Sequence, residues 1–175
     1  MSNYRFDNLV LHICSSSSKP PHTIRLAKLL WAFDKGAYLQ LGHKLTGCEY
    51  LRKKFGPVPK DNKDLLCLMR DRGLIDLKQT PKDEYPEVTY RAMRPADLTC
   101  FTKEEKNFVE SVTPEIIHLS TGELIRQSHD LTWALTPDNS VIPFETYLSD
   151  IKMDYAEKQK YRELIEEAEY EYADD

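Results

Sequence analysis

The sequence predicts a mainly α-helical domain with a small antiparallel β-sheet, an α+β fold whose element order is winged-helix-like. Three observations predict it. Apolar residues recur at helical spacing along successive stretches, two capping boxes open helices in the second half, and two β-prone runs flank a polar link. The 175 residues are enough for one core without staples, and 41% hydrophobic against 30% charged residues is the composition of a folded globule.

Asn3–Cys14 places Phe6, Leu9, Val10 and Ile13 on one face of a short helix. Ser15–Ser18 and Lys19-Pro20-Pro21 end it, since prolines cannot continue a helix. From His22 to Leu39 the apolar residues Ile24, Leu26, Ala27, Leu29, Leu30, Trp31 and Phe33 surround the axis, so this helix belongs at the centre, with Gly42 as its C-terminal cap. Leu45-Thr46-Gly47 is a turn and Cys48–Lys54 an extended piece. Phe55-Gly56-Pro57-Val58-Pro59 is not helical, because the residue before a proline is pushed to extended geometry.

Asp61 is the expected cap of a helix over Asn62–Arg72, with Leu65, Leu66, Leu68 and Met69 inward and Gly73 ending it. Leu74–Lys78 and Val88–Met93 form a hairpin across Gln79–Glu87. Thr102-Lys103-Glu104-Glu105 and Ser120-Thr121-Gly122-Glu123 are capping boxes. The first helix carries Phe108, Val109 and Val112, and Pro114 is expected to break or kink it before a restart through Glu115–His118; the second runs to Ser128. Asp154 opens a last helix bearing Tyr155, Tyr161, Leu164, Ile165 and Ala168.

The longest uncharged apolar run, Leu29 to Phe33, is too short to cross a bilayer, and no signal peptide is read at the start. The expected location is the cytoplasm. Cys14, Cys48, Cys67 and Cys100 stand far apart without a CxxC pair, as free thiols of a cytosolic protein do. No GxGxxG, Walker loop, HExxH or GxSxG is present, and His12, His22, His43, His118 and His129 include no i, i+4 pair. Neither catalytic residues, cofactor nor metal is expected. His129-Asp130 does not read as a base with its orienter, because neighbours on a helix point about 100° apart.

Charge is divided along the chain. Residues 1–80 hold 14 Lys and Arg against 7 Asp and Glu, whereas residues 81–175 hold 10 against 22. Such a dipole suits docking to a charged protein. Arg52, Lys53, Lys54, Lys60 and Lys63 form a basic cluster, and helix, strand, helix, hairpin is the order of winged-helix DNA binders. Against that reading, Asp61, Asp64 and Asp71 accompany the presumed reading helix, and the sequence pI is about 5.6.

Ordered pieces of the chain resemble the Panacea domain of SocA-like antitoxins and phage-associated proteins. They are Ala27-Lys28-Leu29-Leu30-Trp31-Ala32-Phe33-Asp34, Leu45-Thr46-Gly47-Cys48-Glu49-Tyr50, Phe55-Gly56-Pro57-Val58-Pro59, and Leu119–Ile125 leading into Ser128-His129-Asp130-Leu131-Thr132-Trp133. The match covers about residues 22–135, between an N-terminal helix and linker over 1–21 and an extension over 136–175 with an acidic helix. Trp31 and Phe33 depart from the family pattern, and Cys48 stands where it is variable.

The resemblance implies an antitoxin that neutralises a co-encoded toxin by direct binding, without catalysis. Two alternatives stay open: a winged-helix DNA-binding regulator of its own operator, and an adaptor that delivers the toxin to a cytosolic protease. Partner-binding candidates are Tyr50, Arg52, Lys54, Phe55, Gly56, Pro57, Val58, Pro59, His129 and Trp133. A rigid aromatic flanked by Arg has the composition of an interface anchor, while the same residues serve equally as a plug at the end of the core. The acidic run Glu163–Asp175, with Tyr170 and Tyr172, reads either as a partner arm or as a solubilising tail.

Overall fold

In the computed structural model, residues 3–82 and 85–148 are described, together with Gln159 and Glu163. The expected last helix and the acidic run after it lie outside the described residues except at Gln159 and Glu163, both helical and exposed.

Helix α2 (Thr23–Leu41) is the axis of the fold. Leu26, Leu29, Leu30, Trp31, Phe33 and Ala37 are buried all round it, as its sequence requires. Gly42 closes it in the left-handed region at φ 80°, its N–H returning to the Tyr38 carbonyl at 3.0 Å. Helix α1 (Tyr4–Ser16) packs beside α2 and buries Phe6, Leu9, Val10, Leu11 and Ile13 in the shared core. The Asn3 side chain caps α1 by accepting from the Phe6 N–H at 3.0 Å.

The extended stretch after the turn at Gly47 is regular only over β1 (Tyr50–Leu51), which pairs antiparallel with β2 (Val58–Pro59) in the register Tyr50↔Pro59. A proline is tolerated there because the ladder is two residues long and needs few of its donors. Helix α3 (Asn62–Asp71) differs from expectation at its start. Asp61 has φ 60° and its side chain makes no cap hydrogen bond, so the cap reading of Asp61 is corrected. Leu66 and Met69 face the core, but Leu68 is 41% exposed, because the core lies on only one side of this short helix. The hairpin forms from β3 (Ile75–Thr80) and β4 (Glu87–Ala92), pairing Ile75↔Ala92 through Thr80↔Glu87.

Both capping boxes are present. They open α4 (Lys103–Ile116) at Thr102 and α5 (Thr121–Ser128) at Ser120. Pro114 neither breaks nor restarts α4, correcting that expectation: the helix runs through it to Ile116, forgoing only the hydrogen bond for which Pro114 has no N–H, and the Ile117 N–H still reaches the Thr113 carbonyl at 3.0 Å. Glu105 of the first box is 2% exposed and also binds Arg5 and His43, tying α4 to α1. Its hydrogen bonds to Arg5, Thr102 and His43 outweigh desolvation and hold its pKa down at about 2.

Short pieces complete the core. Helix α6 (Leu131–Leu135) is capped by Asp130, which accepts from the Trp133 N–H at 2.9 Å. A 3₁₀ turn over Phe144–Leu148 lays Phe144 and Tyr147 against Trp31, with ring centroids 5.0 and 5.5 Å away.

Candidate functional site

The pieces that form the sequence motifs meet at two connected places on α2. The first is a buried hydrogen-bond network. Asp34, fully buried, accepts from the Thr46 N–H at 2.9 Å, the Thr46 hydroxyl and the Tyr50 hydroxyl at 2.8 Å. Thr46 Oγ1 in turn accepts from the Cys48 N–H at 3.1 Å. Burial raises the pKa of Asp34, and the donors it collects work the other way. This is what the spacing from Thr46 to Tyr50 accomplishes: both residues anchor the turn and β1 to one carboxylate on α2.

The second place is a clamp around the loop between β1 and β2. Three side chains from separate elements each bring a nitrogen within hydrogen-bond distance of one of its carbonyls. Trp133 Nε1 reaches the Lys53 oxygen at 3.1 Å and Lys28 Nζ reaches the Pro57 oxygen at 2.8 Å. His129 Nε2 lies 3.2 Å from the Lys54 oxygen, and its Nδ1 lies 2.7 Å from the Ile125 oxygen. Both imidazole nitrogens therefore face carbonyls, and burial lowers the His129 pKa. His129 and Trp133 pack edge to face at 3.9 Å between centroids, and the Arg52 guanidinium stands 4.5 Å from the Trp133 ring centroid.

Gly56 makes the clamp possible. Its φ is +92°, and a Cβ there would lie 2.6 Å from Ser128 Oγ and 2.9 Å from Lys28 Nζ. Asp130 secures the far side by pairing with Lys35 at 2.6 Å and accepting from Tyr147 at 3.3 Å. His129 ends α5 and Asp130 caps α6, each engaged with different partners, so the two do not act as a base and its orienter.

The ten residues singled out in the sequence thus fall into two groups. Tyr50, Gly56, Pro57, Pro59, His129 and Trp133 are buried. Lys54 is exposed, and Arg52, Phe55 and Val58 are half-buried, with Arg52 paired to Asp138 and the Lys54 ammonium 5.3 Å from the Phe55 ring centroid. With exposed Lys53, whose ammonium donates to Asn139 at 2.6 Å, they form the outer face of the clamped loop. Lys28, Asp34, Ser128 and Asp130 were not singled out as site residues. The signal for the first two was available: a lysine and an aspartate on a helix apolar all round must be buried and partnered.

Among the described residues, no group of three or more His, Cys, Asp or Glu could hold a metal ion. No helix among them is long and apolar enough to cross a membrane. The family model for the antitoxin SocA-like, Panacea domain matches residues 26–134, which include Lys28, Asp34, Thr46, Tyr50, Gly56, His129 and Trp133. No curated protein and no solved structure matches the chain.

Proposed function

The chain belongs to the SocA-like antitoxin family of Panacea-domain proteins, and from that premise we propose that it neutralises a co-encoded, growth-inhibiting protein toxin in the cytoplasm. It acts by direct binding and without catalysis. The supporting observation is the clamp. Trp133, His129 and Lys28 hold three loop carbonyls at 3.1, 3.2 and 2.8 Å, so the face made by Arg52, Lys53, Lys54 and Phe55 is ordered before any partner arrives. A preordered loop loses little conformational entropy on binding. In this reading Tyr50, Gly56, Pro57, Pro59, His129 and Trp133 position the loop, whereas Arg52, Lys54, Phe55 and Val58 touch the toxin.

The test is co-expression with the product of the adjacent toxic reading frame. Phe55→Ala with Lys54→Glu is expected to leave the chain folded and to weaken rescue of growth. Unimpaired rescue would remove the loop face from the interface.

One observation favours a second reading, a DNA-binding regulator: the β3–β4 hairpin follows α3 as a wing follows a reading helix. The local charge is less favourable, because Lys60 pairs with Glu49 and Arg70 with Asp71, each at 2.7 Å. Operator binding that weakens steeply with salt would support this reading. Toxin loss that depends on a cytosolic protease would support the adaptor role.

A further inference from the structure

The β3–β4 hairpin leaves one strand edge open. The Met93 N–H donates to the Leu74 carbonyl at 2.9 Å, next to the pair Ile75↔Ala92. Antiparallel ladders alternate, so Asp76 and Lys78 exchange backbone bonds with β4, while the N–H and C=O of Ile75, Leu77 and Gln79 point away from it. The outer edge of β4 is occupied: the Tyr90 N–H donates to the Pro21 carbonyl at 3.0 Å, and His22 bridges to Thr89. On the outer edge of β3, no described residue hydrogen-bonds the backbone of Leu77 or Gln79.

The strand is regular and its two faces differ. It contains no proline and pairs with β4 residue for residue, without a bulge. Ile75 is buried and Leu77 half-buried on the core side. Asp76 and Lys78 are exposed on the other side, where Asp76 pairs with Arg91 at 3.0 Å and Lys78 makes no ion pair with any described residue.

We infer that the open edge of β3 is an interaction surface for a second copy of this chain, the two β3 strands joining antiparallel about a two-fold axis at Leu77. The hairpins of the two copies then form one continuous sheet, in the order β4, β3, β3, β4. The inference does not rest on the antitoxin reading.

Self-complementarity selects this occupant. With the axis at Leu77, that residue lies opposite its own counterpart and the two exchange both backbone bonds; Ile75 and Gln79 do the same across the axis. Asp76 of each copy then stands directly opposite Lys78 of the other. On the core side the two half-buried Leu77 side chains meet. Charge on an edge strand ordinarily deters pairing, but here each charge finds its opposite. Moving the axis by one residue would set Asp76 against Asp76 or Lys78 against Lys78, which repulsion disfavours, so the charges fix the register as well as the partner.

Sedimentation velocity on the full chain, from micromolar to millimolar concentration, is expected to show a monomer–dimer equilibrium. Lys78→Asp and Asp76→Lys are each expected to weaken the dimer at least about tenfold, because both cross-strand pairs become like-charged. Both positions are exposed, and losing the Asp76–Arg91 pair costs the fold little. Mixing the two variants is expected to restore a dimer, since every Asp of one chain then faces a Lys of the other. A wild-type chain that stays monomeric, a dimer indifferent to both substitutions, or a mixture that fails to associate would overturn the inference.

Amide hydrogen exchange on the wild-type chain gives an independent reading, and decides if either variant does not fold. The Leu77 and Gln79 amides are expected to exchange more slowly as concentration rises, whereas those of Asp76 and Lys78, bonded to β4, are not. Protection of Leu77 and Gln79 that is the same at every concentration would assign the edge to a segment of the chain itself. Protection that appears only when another protein is added would assign it to a strand of that protein. Either result would overturn the pairing of two copies.

Discussion

Gly56→Ala probes the clamp most sharply. Its cost has two parts. Placing a Cβ at φ +92° costs about 1–2 kcal/mol for an L-residue in the left-handed region. The new Cβ also meets Ser128 Oγ at 2.6 Å and Lys28 Nζ at 2.9 Å, so the bond from Lys28 to the Pro57 carbonyl must shift. Loss of a charged hydrogen bond costs about 1.5–3 kcal/mol. The expected destabilisation is therefore about 2.5–5 kcal/mol, a fall in melting temperature of about 5–20 °C for a domain of this size. Gly47→Ala is the control: φ is +69° with nothing within 4 Å of the new Cβ, so the backbone part alone applies. Differential scanning calorimetry on both variants separates the parts. In a background carrying Lys28→Met and Ser128→Ala, the cost of Gly56→Ala should fall towards that of Gly47→Ala. A Gly56→Ala variant no less stable than Gly47→Ala would refute the close contact of the loop with α2 and α5.

Other expectations follow from the same geometry. Trp133→Phe keeps an aromatic ring but removes the donor to the Lys53 carbonyl and leaves space in the core; urea titration should show a loss of at least about 1–1.5 kcal/mol, and a smaller loss would mean the bond contributes nothing to the clamp. His129 and His12 both have pKa values lowered by burial below the ordinary 6.5, so the folded chain holds fewer protons than the unfolded one as pH falls through that value. Urea midpoints should therefore drop from pH 8 towards pH 5, and less steeply in His129→Gln; a rise on acidification would contradict the burial of these rings. Asp34, raised, offsets part of this at the acid end, and Glu105 adds a further loss between its ordinary 4.5 and about 2. Asp34→Asn should destabilise by about 1–3 kcal/mol, because an amide cannot accept from all three donors with both of its polar atoms; an unchanged urea midpoint would show the network to be incidental.

Local chemistry made much of the fold legible. Helix α2 and its cap at Gly42, both capping boxes and the β3–β4 hairpin each have a cause within a few residues, so the chain shows them directly. What was not legible depends on contacts distant in sequence. Helix α6 has five residues, too few for a period, and exists because Asp130 caps it and Trp133 is buried. The pairing of Tyr50 with Pro59 is invisible where a proline discourages a strand. Asp61 looked like a cap by residue type, but its φ of 60° carries the side chain away from the helix start. At the site, Phe55–Pro59, His129 and Trp133 could be picked out singly. That they meet, with Lys28 between them, follows from bonds such as Trp133 to Lys53, 80 residues apart.

The proposed role is neutralisation of a protein toxin by holding it. The most direct measurement is affinity purification of the tagged chain co-expressed with the untagged product of the neighbouring toxic reading frame, in cells whose growth is followed. Growth is expected to be rescued, with the toxin co-eluting as a stable complex that Phe55→Ala with Lys54→Glu weakens. Rescue without any co-eluting toxin, or a co-eluting toxin whose action is undiminished, would contradict it.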